Sequence, residues 1–454
     1  MKSLPMPALL ESALQRSVPA RGLQCLALSL ATLLGSVAPT AQAQVAQAQN
    51  EPTREISYDS EVRWYKGNLH THSLWSDGDD FPEMISDWYA KRDYHFLALT
   101  DHNLLSEGDR WMPLSKIVAR SDDGILDRYR QRFGNSWVQT RGEEDDAKIE
   151  VRLKPLAEFR SLIEKRGEFI LIPAEEISDK FEKKPIHINA TNLAEKIEPQ
   201  HGDSVRDTIQ NNLRAIVEHQ KKHGREVLPH INHPNFGYAI TAEDIAAISA
   251  ERFFEVYNGH PGVNHLGDDK HVSIETMWDQ INAIRRADLN IPPIMGLATD
   301  DSHEYHGRKG SRPGRGWVMV RSRYLTPEHI IQAMKRGDFY ASSGVTLSDV
   351  QFDAETKTLR VEIQSDGDAT FTTQFIGTTQ HHDDQGDTEA DSESDGSHTH
   401  IGVVLSTVQG TAASYQLTGD ELYIRATITS SKPHHDPSFA DQKQQAWTQP
   451  VGWK

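Results

Sequence analysis

From about Tyr58 to Val345, short apolar runs alternate with longer stretches of mixed charge. The runs are Arg63–Leu69, His95–Thr100, Glu168–Pro173, Ile186–Thr191, Glu226–Ile231, Phe253–Tyr257 and Ile294–Ala298, each of strand length. Between them, Asp80–Arg92, Val205–His223 and Glu275–Ala287 repeat apolar residues near helical spacing. Strands interleaved with helices predict an α/β barrel or a doubly wound sheet. Residues 104–166 are polar, with an acidic knot at Glu143–Asp146. They read as an insertion, either a lid or a solvated helical excursion. Past Ser343-Gly344 the texture changes. Leu347–Phe352, Thr358–Gln364, Ala369–Gly377, Ile401–Leu405, Ser414–Leu417 and Glu421–Thr429 predict strands of a small β domain. Residues 379–400 are acidic, of low complexity and His-tipped. They read as a solvated hairpin tip, with a metal-scavenging tract as the alternative.

The amino terminus has a different pattern. Lys2, Arg16 and Arg21 precede the apolar run 23–38, and Ala41-Gln42-Ala43 follows it. Basic, apolar and A-x-A segments in that order predict a secretory signal peptide over residues 1–43, hence a secreted or periplasmic protein free of the membrane after cleavage. The apolar run is short for a membrane span. The 454 residues exceed one small domain. The net charge of −18 leaves no general footprint for nucleic acid. The single Cys excludes a disulfide framework and a thiolate zinc site.

Against that acidic background the 22 His matter most. One arrangement recurs: a strand-like run ends, and His or a carboxylate follows. Arg63–Leu69 leads into His70-Thr71-His72, with Asp77 five residues on. His95–Thr100 leads into Asp101-His102. Glu168–Pro173 leads into Glu175-Glu176. His187 follows Ile186, and His230 and His233 follow Val227–Pro229. Ile294–Ala298 leads into Asp300, Asp301 and His303. In extended chain, residues i and i+2 share a face, so His70 with His72, and Asp301 with His303, can each serve one ion. In a barrel these strand ends meet at one face. Imidazole and carboxylate without thiolate suit Zn, Mn or Fe. So many ligands imply two or three divalent ions.

The ordered motifs H-x-H-x4-D-G, T-D-H-N, E-I-S, H-I-N, N-H-P and D-x-H resemble the polymerase-and-histidinol-phosphatase (PHP) superfamily over residues 64–345. The resemblance implies a distorted (β/α)7, TIM-like barrel over 58–345. A small all-β, sandwich-like domain over 346–454 follows it. It also implies a ligand set of His70, His72, Asp77, His102, Glu176, His187, His233, Asp301 and His303. Glu175 stands as the alternative to Glu176, and His230 as the alternative to His233. Phe254–His260, Gly314–Trp317, Arg336–Ser342 and Trp447–Pro450 are similar to exported metallohydrolases of the carbaryl-hydrolase type.

The resemblance implies a hydrolase in which a hydroxide bridging the metal ions attacks a small-molecule substrate. A small phosphate mono- or diester is the first substrate class and a carbamate, ester or amide the second. A metal or ligand binder without catalysis is the third reading. No G-x-S-x-G elbow and no P-loop occurs. His260 and His306 are candidate proton donors beside strand ends. Arg308 and Arg315 are candidate phosphate clamps.

Overall fold

The computed structural model describes residues 61–142, 149–250, 252–307, 310–365, 367–382 and 397–453. The segment read as a signal peptide, the acidic knot at Glu143–Asp146 and the centre of the acidic tract lie outside them.

All seven apolar runs form strands. These are β1 (Arg63–Asn68), β2 (Phe96–Leu99), β6 (Ile170–Phe181), β7 (Lys184–Thr191), β8 (Leu228–Ile231), β9 (Phe253–Asn258) and β10 (Met295–Thr299). Between β2 and β6 the insertion contributes β3 (Arg110–Pro113), β4 (Thr140–Arg141) and β5 (Glu150–Leu153), which form a separate small sheet. It also contributes the helices α2 (Leu114–Arg120), α3 (Ile125–Phe133) and α4 (Leu156–Ile163). Helix α1 (Pro82–Ala90) precedes β2, and α5 (Val205–His223), α6 (Ala242–Ala246) and α7 (Ile274–Ala283) cover the later strands. Helix α5 has the predicted bounds because both ends are chemically marked. The Ser204 hydroxyl accepts from the Asp207 N–H at 3.0 Å, and Gly224 takes the left-handed cap at φ 58°. Helix α7 ends four residues short of its prediction, where a π-turn takes over. None of the described helices is long and apolar enough to cross a membrane.

The chain continues through β11 (Trp317–Ser322), α8 (Pro327–Arg336) and β12 (Phe339–Ser342). Seven more strands follow: β13 (Leu347–Asp353), β14 (Thr358–Ile363), β15 (Phe371–His382), β16 (Ser397–Gln409), β17 (Ala412–Gln416), β18 (Glu421–Pro433) and β19 (Lys443–Thr448). One mixed sheet runs β10-β9-β8-β7-β6-β2-β1-β11-β12-β19-β18-β15-β16, continuous past residue 345. A second sheet, β13-β14-β17, packs on it through Leu347, Leu359, Val361, Phe375, Ile424 and Ile428 to make a two-layer sandwich.

The closed barrel is not formed. Strand β10 pairs with β9 alone and lies beside β11 and β12 without a ladder. The reason is local. The Gln449 side-chain amide takes both the N–H and the C=O of Gly296, at 2.9 Å each. A side chain thereby satisfies the edge that a neighbouring strand would otherwise pair. Pairing is also mixed, because β7 runs antiparallel to β6 and β8. Where strands crowd, glycine is required: a Cβ on Gly67 would lie 2.1 Å from the Phe96 ring across the β1–β2 pair.

The insertion packs on α1 around Phe81, whose ring stacks on Tyr129 at 3.9 Å. Buried Glu83 accepts from the Trp137 indole at 2.9 Å and from the Tyr129 hydroxyl. Burial pushes its carboxyl up to about 7. The folded chain therefore holds a proton that an unfolded Glu, with a pKa near 4.5, has released. Stability falls as pH rises from about 4.5 to about 7, by on the order of 3 kcal/mol. Glu83→Gln should remove that part of the slope. Urea unfolding of both proteins at acidic and alkaline pH checks this, and equal slopes would contradict it.

Candidate metal centre

The strand ends do converge. The turn after β1 delivers His70 and His72. It is held against the turn after β10 by a Thr71–Ser302 bridge and by the His72 N–H donating to the Ser302 carbonyl at 2.9 Å. His102 follows β2 and bridges to Glu176, which lies within β6. His187 lies in β7. His233 (φ 25°) and Asp301 (φ 48°) both sit at left-handed kinks just past β8 and β10.

Glu176 and Asp301 are the hubs. Glu176 Oε1 lies 3.0 Å from His187 Nδ1, 3.4 Å from His70 Nε2 and 3.6 Å from His233 Nε2. Its Oε2 lies 2.6 Å from His102 Nδ1 and 3.6 Å from His72 Nε2. Asp301 Oδ1 is 3.1 Å from the Nε2 atoms of both His70 and His72. Asp77 reaches His72 Nδ1 at 3.6 Å, His102 Nε2 at 3.4 Å and His303 Nε2 at 3.5 Å. All nine residues of the sequence-based set thus adjoin one another.

Several of these short approaches are not hydrogen bonds. His70 Nε2, His72 Nε2, His187 Nδ1 and Glu176 Oε2 are buried and have no hydrogen-bonding partner. Buried polar atoms are normally satisfied. Donor atoms grouped without mutual hydrogen bonds are what a shared cation leaves behind, and the donor set suits a divalent metal. Charge agrees. Asp77, Glu176, Asp301 and Glu255 face neutral-capable imidazoles, and two divalent ions would balance four carboxylates. In the protein alone, neighbouring charge does this work. Burial disfavours the His70 cation, but Asp301, Glu255 and Glu176 hold its pKa well above normal. Burial opposes the Glu176 anion too, yet His187, His102 and His70 keep it well below the usual carboxylate range.

Glu255, in β9, was not singled out from the sequence. Its Oε1 lies 2.7 Å from His70 Nδ1 and accepts from the Thr299 hydroxyl at 2.7 Å. Its Oε2 accepts from the His233 N–H and the Asn258 amide, both at 2.8 Å. By taking Nδ1–H of His70 it turns Nε2 toward Asp301 and Glu176, the orienting role of a carboxylate behind a ligand histidine. A lone Glu inside the apolar run Phe253–Tyr257 was the available signal. Asn232, donating to Glu176 Oε1 at 2.7 Å, and Ser178, 2.5 Å from His102 Nδ1, were also missed.

Both ambiguous acidic pairs separate. Glu176 faces the histidines, while Glu175, on the other face of β6, accepts from the Ile197 N–H at 2.6 Å. Asp301 faces the histidines because the chain kinks there, not because a regular strand continues. Asp300 faces away from the histidines. It is fully buried and accepts from the Tyr89 hydroxyl at 2.6 Å and from the N–H groups of Gly314, Arg315 and Gly316 at 2.6–2.9 Å. His230 lies 3.4 Å from Glu255, has both ring nitrogens buried without a hydrogen-bonding partner, and forms a further metal-capable group with His70 and Glu255.

The remaining candidates divide. The His260 ring lies 5.8 Å from that of His303. His306 instead pairs with Asp80 at 3.1 Å. Arg315 is not a free clamp: it is buried, with its guanidinium spent on Asp436 and on the carbonyls of Gly259 and Gly310. Arg308 lies outside the described residues.

No protein-family model matches this chain, and no curated protein does. Nine chains of solved structures match. One is a two-domain protein from Bacteroides vulgatus containing a predicted PHP-like metal-dependent phosphoesterase. It is 16% identical, with 86% of this chain and 96% of that one covered and a TM-score of 0.36. Another is a candidate metal-dependent phosphoesterase from Bifidobacterium adolescentis. It is 10% identical, with 56% and 92% covered and a TM-score of 0.28.

Proposed function

We propose that this protein is a metal-dependent hydrolase of the PHP type, acting on a small phosphate mono- or diester after export. The observation that carries the reading is the set of buried, unpartnered His and Glu atoms that β6, β7, β8 and the turn after β1 bring together. His70, His72, Asp77, His102, Glu176, His187, His233, Asp301 and His303 would hold two or three divalent ions. Such ions supply Lewis acidity that polarises a substrate oxygen and makes water nucleophilic near neutral pH.

His260 would donate a hydrogen bond to the leaving-group oxygen and stabilise the charge that develops on it. Its Nδ1 accepts from the Gly262 N–H at 3.0 Å. The neutral ring must then carry its hydrogen on Nε2. The backbone thus presets a donor tautomer beside His303, and burial lowers the ring's pKa. His260→Gln should leave metal content unchanged. It should cost about 10²-fold in rate on an alkyl phosphate and far less on p-nitrophenyl phosphate, whose leaving group is already stable as an anion.

The test is turnover of the metal-reconstituted protein on p-nitrophenyl phosphate, bis-p-nitrophenyl phosphate and p-nitrophenyl acetate, with elemental analysis of the same sample. Phosphate-ester turnover with at least two ions per chain is expected. Turnover of the acetate alone would overturn the phosphoester assignment. One ion or none at full reconstitution would overturn the cluster.

A further inference from the structure

A second site lies on the far side of Tyr305. That residue lines a cavity of about 540 Å³, while its hydroxyl donates to the His72 carbonyl at 3.0 Å. The cavity opens between α1, the outer face of β1 and β11, and residues 304–307, 312–314 and 435–436. Its size suits a ligand of one or two rings.

The lining has two kinds of character. Trp88, Tyr94 and Trp317 supply aromatic walls. Lys66 projects between two of them, its ammonium 4.0 Å from each of the Tyr94 and Trp317 ring centroids. It makes no ion pair among the described residues, and burial lowers its pKa to about 8. Arg92, at the mouth, stacks on Trp88 at 4.1 Å, and its guanidinium donates to the Trp88 carbonyl. The acidic groups present are already engaged or weakened. Asp436 is shared by Arg312 and Arg315, and burial raises the pKa of Glu304. Three lining atoms are buried without a partner: the Tyr94 hydroxyl, Arg312 Nε and Glu304 Oε2. On a chain of net charge −18, a ring-walled cavity with two cations that make no ion pair among the described residues is a local inversion of sign.

We propose that this cavity binds a small aromatic carboxylate, its ring beside Trp88 and its anion on Lys66 and Arg92. Ring stacking and a partly desolvated cation act together there. Glu304 Oε2 remains as acceptor for a hydroxyl on the ring. The site stands independently of the hydrolase reading.

Calorimetric titration of the full chain with 4-hydroxybenzoate, against the neutral 4-hydroxybenzamide, tests it. The carboxylate should bind one site per chain, at least about tenfold tighter than the amide. Lys66→Met keeps the apolar stem between the two rings. Arg92→Gln changes an exposed side chain, so its fold is not at risk. Each should weaken the carboxylate by about tenfold and leave the amide unchanged. Binding should persist after chelation of metal. Four outcomes would overturn the proposal: no saturable binding at millimolar ligand, equal affinity for the two probes, carboxylate affinity unchanged in both variants, or binding that disappears with the metal.

Discussion

Asp301→Asn should abolish activity and strip metal from a protein that remains folded, whereas Asp300→Asn should damage the fold first. The two residues are adjacent and both buried, yet their oxygens do different work. Asp301 Oδ1 stands 3.1 Å from two imidazoles whose Nε2 atoms have no hydrogen-bonding partner. Its Oδ2 accepts from Asn258 at 3.1 Å. An amide in its place loses the anionic ligand, worth about 3 kcal/mol or 10²-fold in rate at the least. Without metal, Asp301 still pairs with His70 and His72, which hold its carboxyl well below the usual range, so the metal-free variant should stay folded but melt below the metal-free parent. Asp300 instead gathers three backbone N–H groups and the Tyr89 hydroxyl. An Asn there turns an NH2 group against donors. That should cost about 3 kcal/mol of stability and several degrees in Tm. Metal content, rate and melting of both variants separate the roles. An active Asp301→Asn, or an Asp300→Asn that melts like the parent, would reverse the assignment.

Glu176→Gln should be the more severe of the second pair. Five imidazoles lie within 3.6 Å of the Glu176 oxygens, so it joins the groups that the other ligands form separately. Losing its charge should release at least one ion and reduce turnover by about 10³-fold. Glu175→Gln should be nearly silent. Burial pushes the Glu175 carboxyl up to about 8, so it is already mostly protonated at neutral pH. A glutamine carbonyl can accept the same Ile197 N–H. Elemental analysis with steady-state rates reads both. Metal loss in Glu175→Gln with none in Glu176→Gln would show that the register of β6 is off by one residue.

Much of this site was legible because ligand chemistry is local. His70 and His72 are two positions apart just past β1, and the recurrence of His and carboxylate at or after the apolar runs picked out the groups that meet, although Glu176 and His187 lie inside β6 and β7. What was not legible involved side chains acting across the fold. Glu255 reads as an oddity in an apolar strand until His70, 185 positions away, is placed against it. Arg315 reads as a free cation until Asp436 arrives from the far end of the chain. Asp300 reads only as a bystander to Asp301 until the turn 314–316 folds its N–H groups onto it.

The sequence by itself determined the elements. Periodicity placed the seven strands, and Ser204 and Gly224 marked the ends of α5. The recurrence of His and carboxylate after strands identified the groups that cluster. Tertiary structure decided closure, register and partnership. The sheet stays open because Gln449, in the carboxyl-terminal segment, satisfies the edge of β10 at Gly296, a contact 153 positions apart that no local pattern encodes. Asp301 faces the histidines because its backbone adopts φ 48°, a conformation the surrounding packing imposes rather than one an aspartate prefers. Periodicity and capping depend on neighbours a few residues apart, whereas edge satisfaction, charge pairing and backbone strain depend on which distant segments the fold brings together.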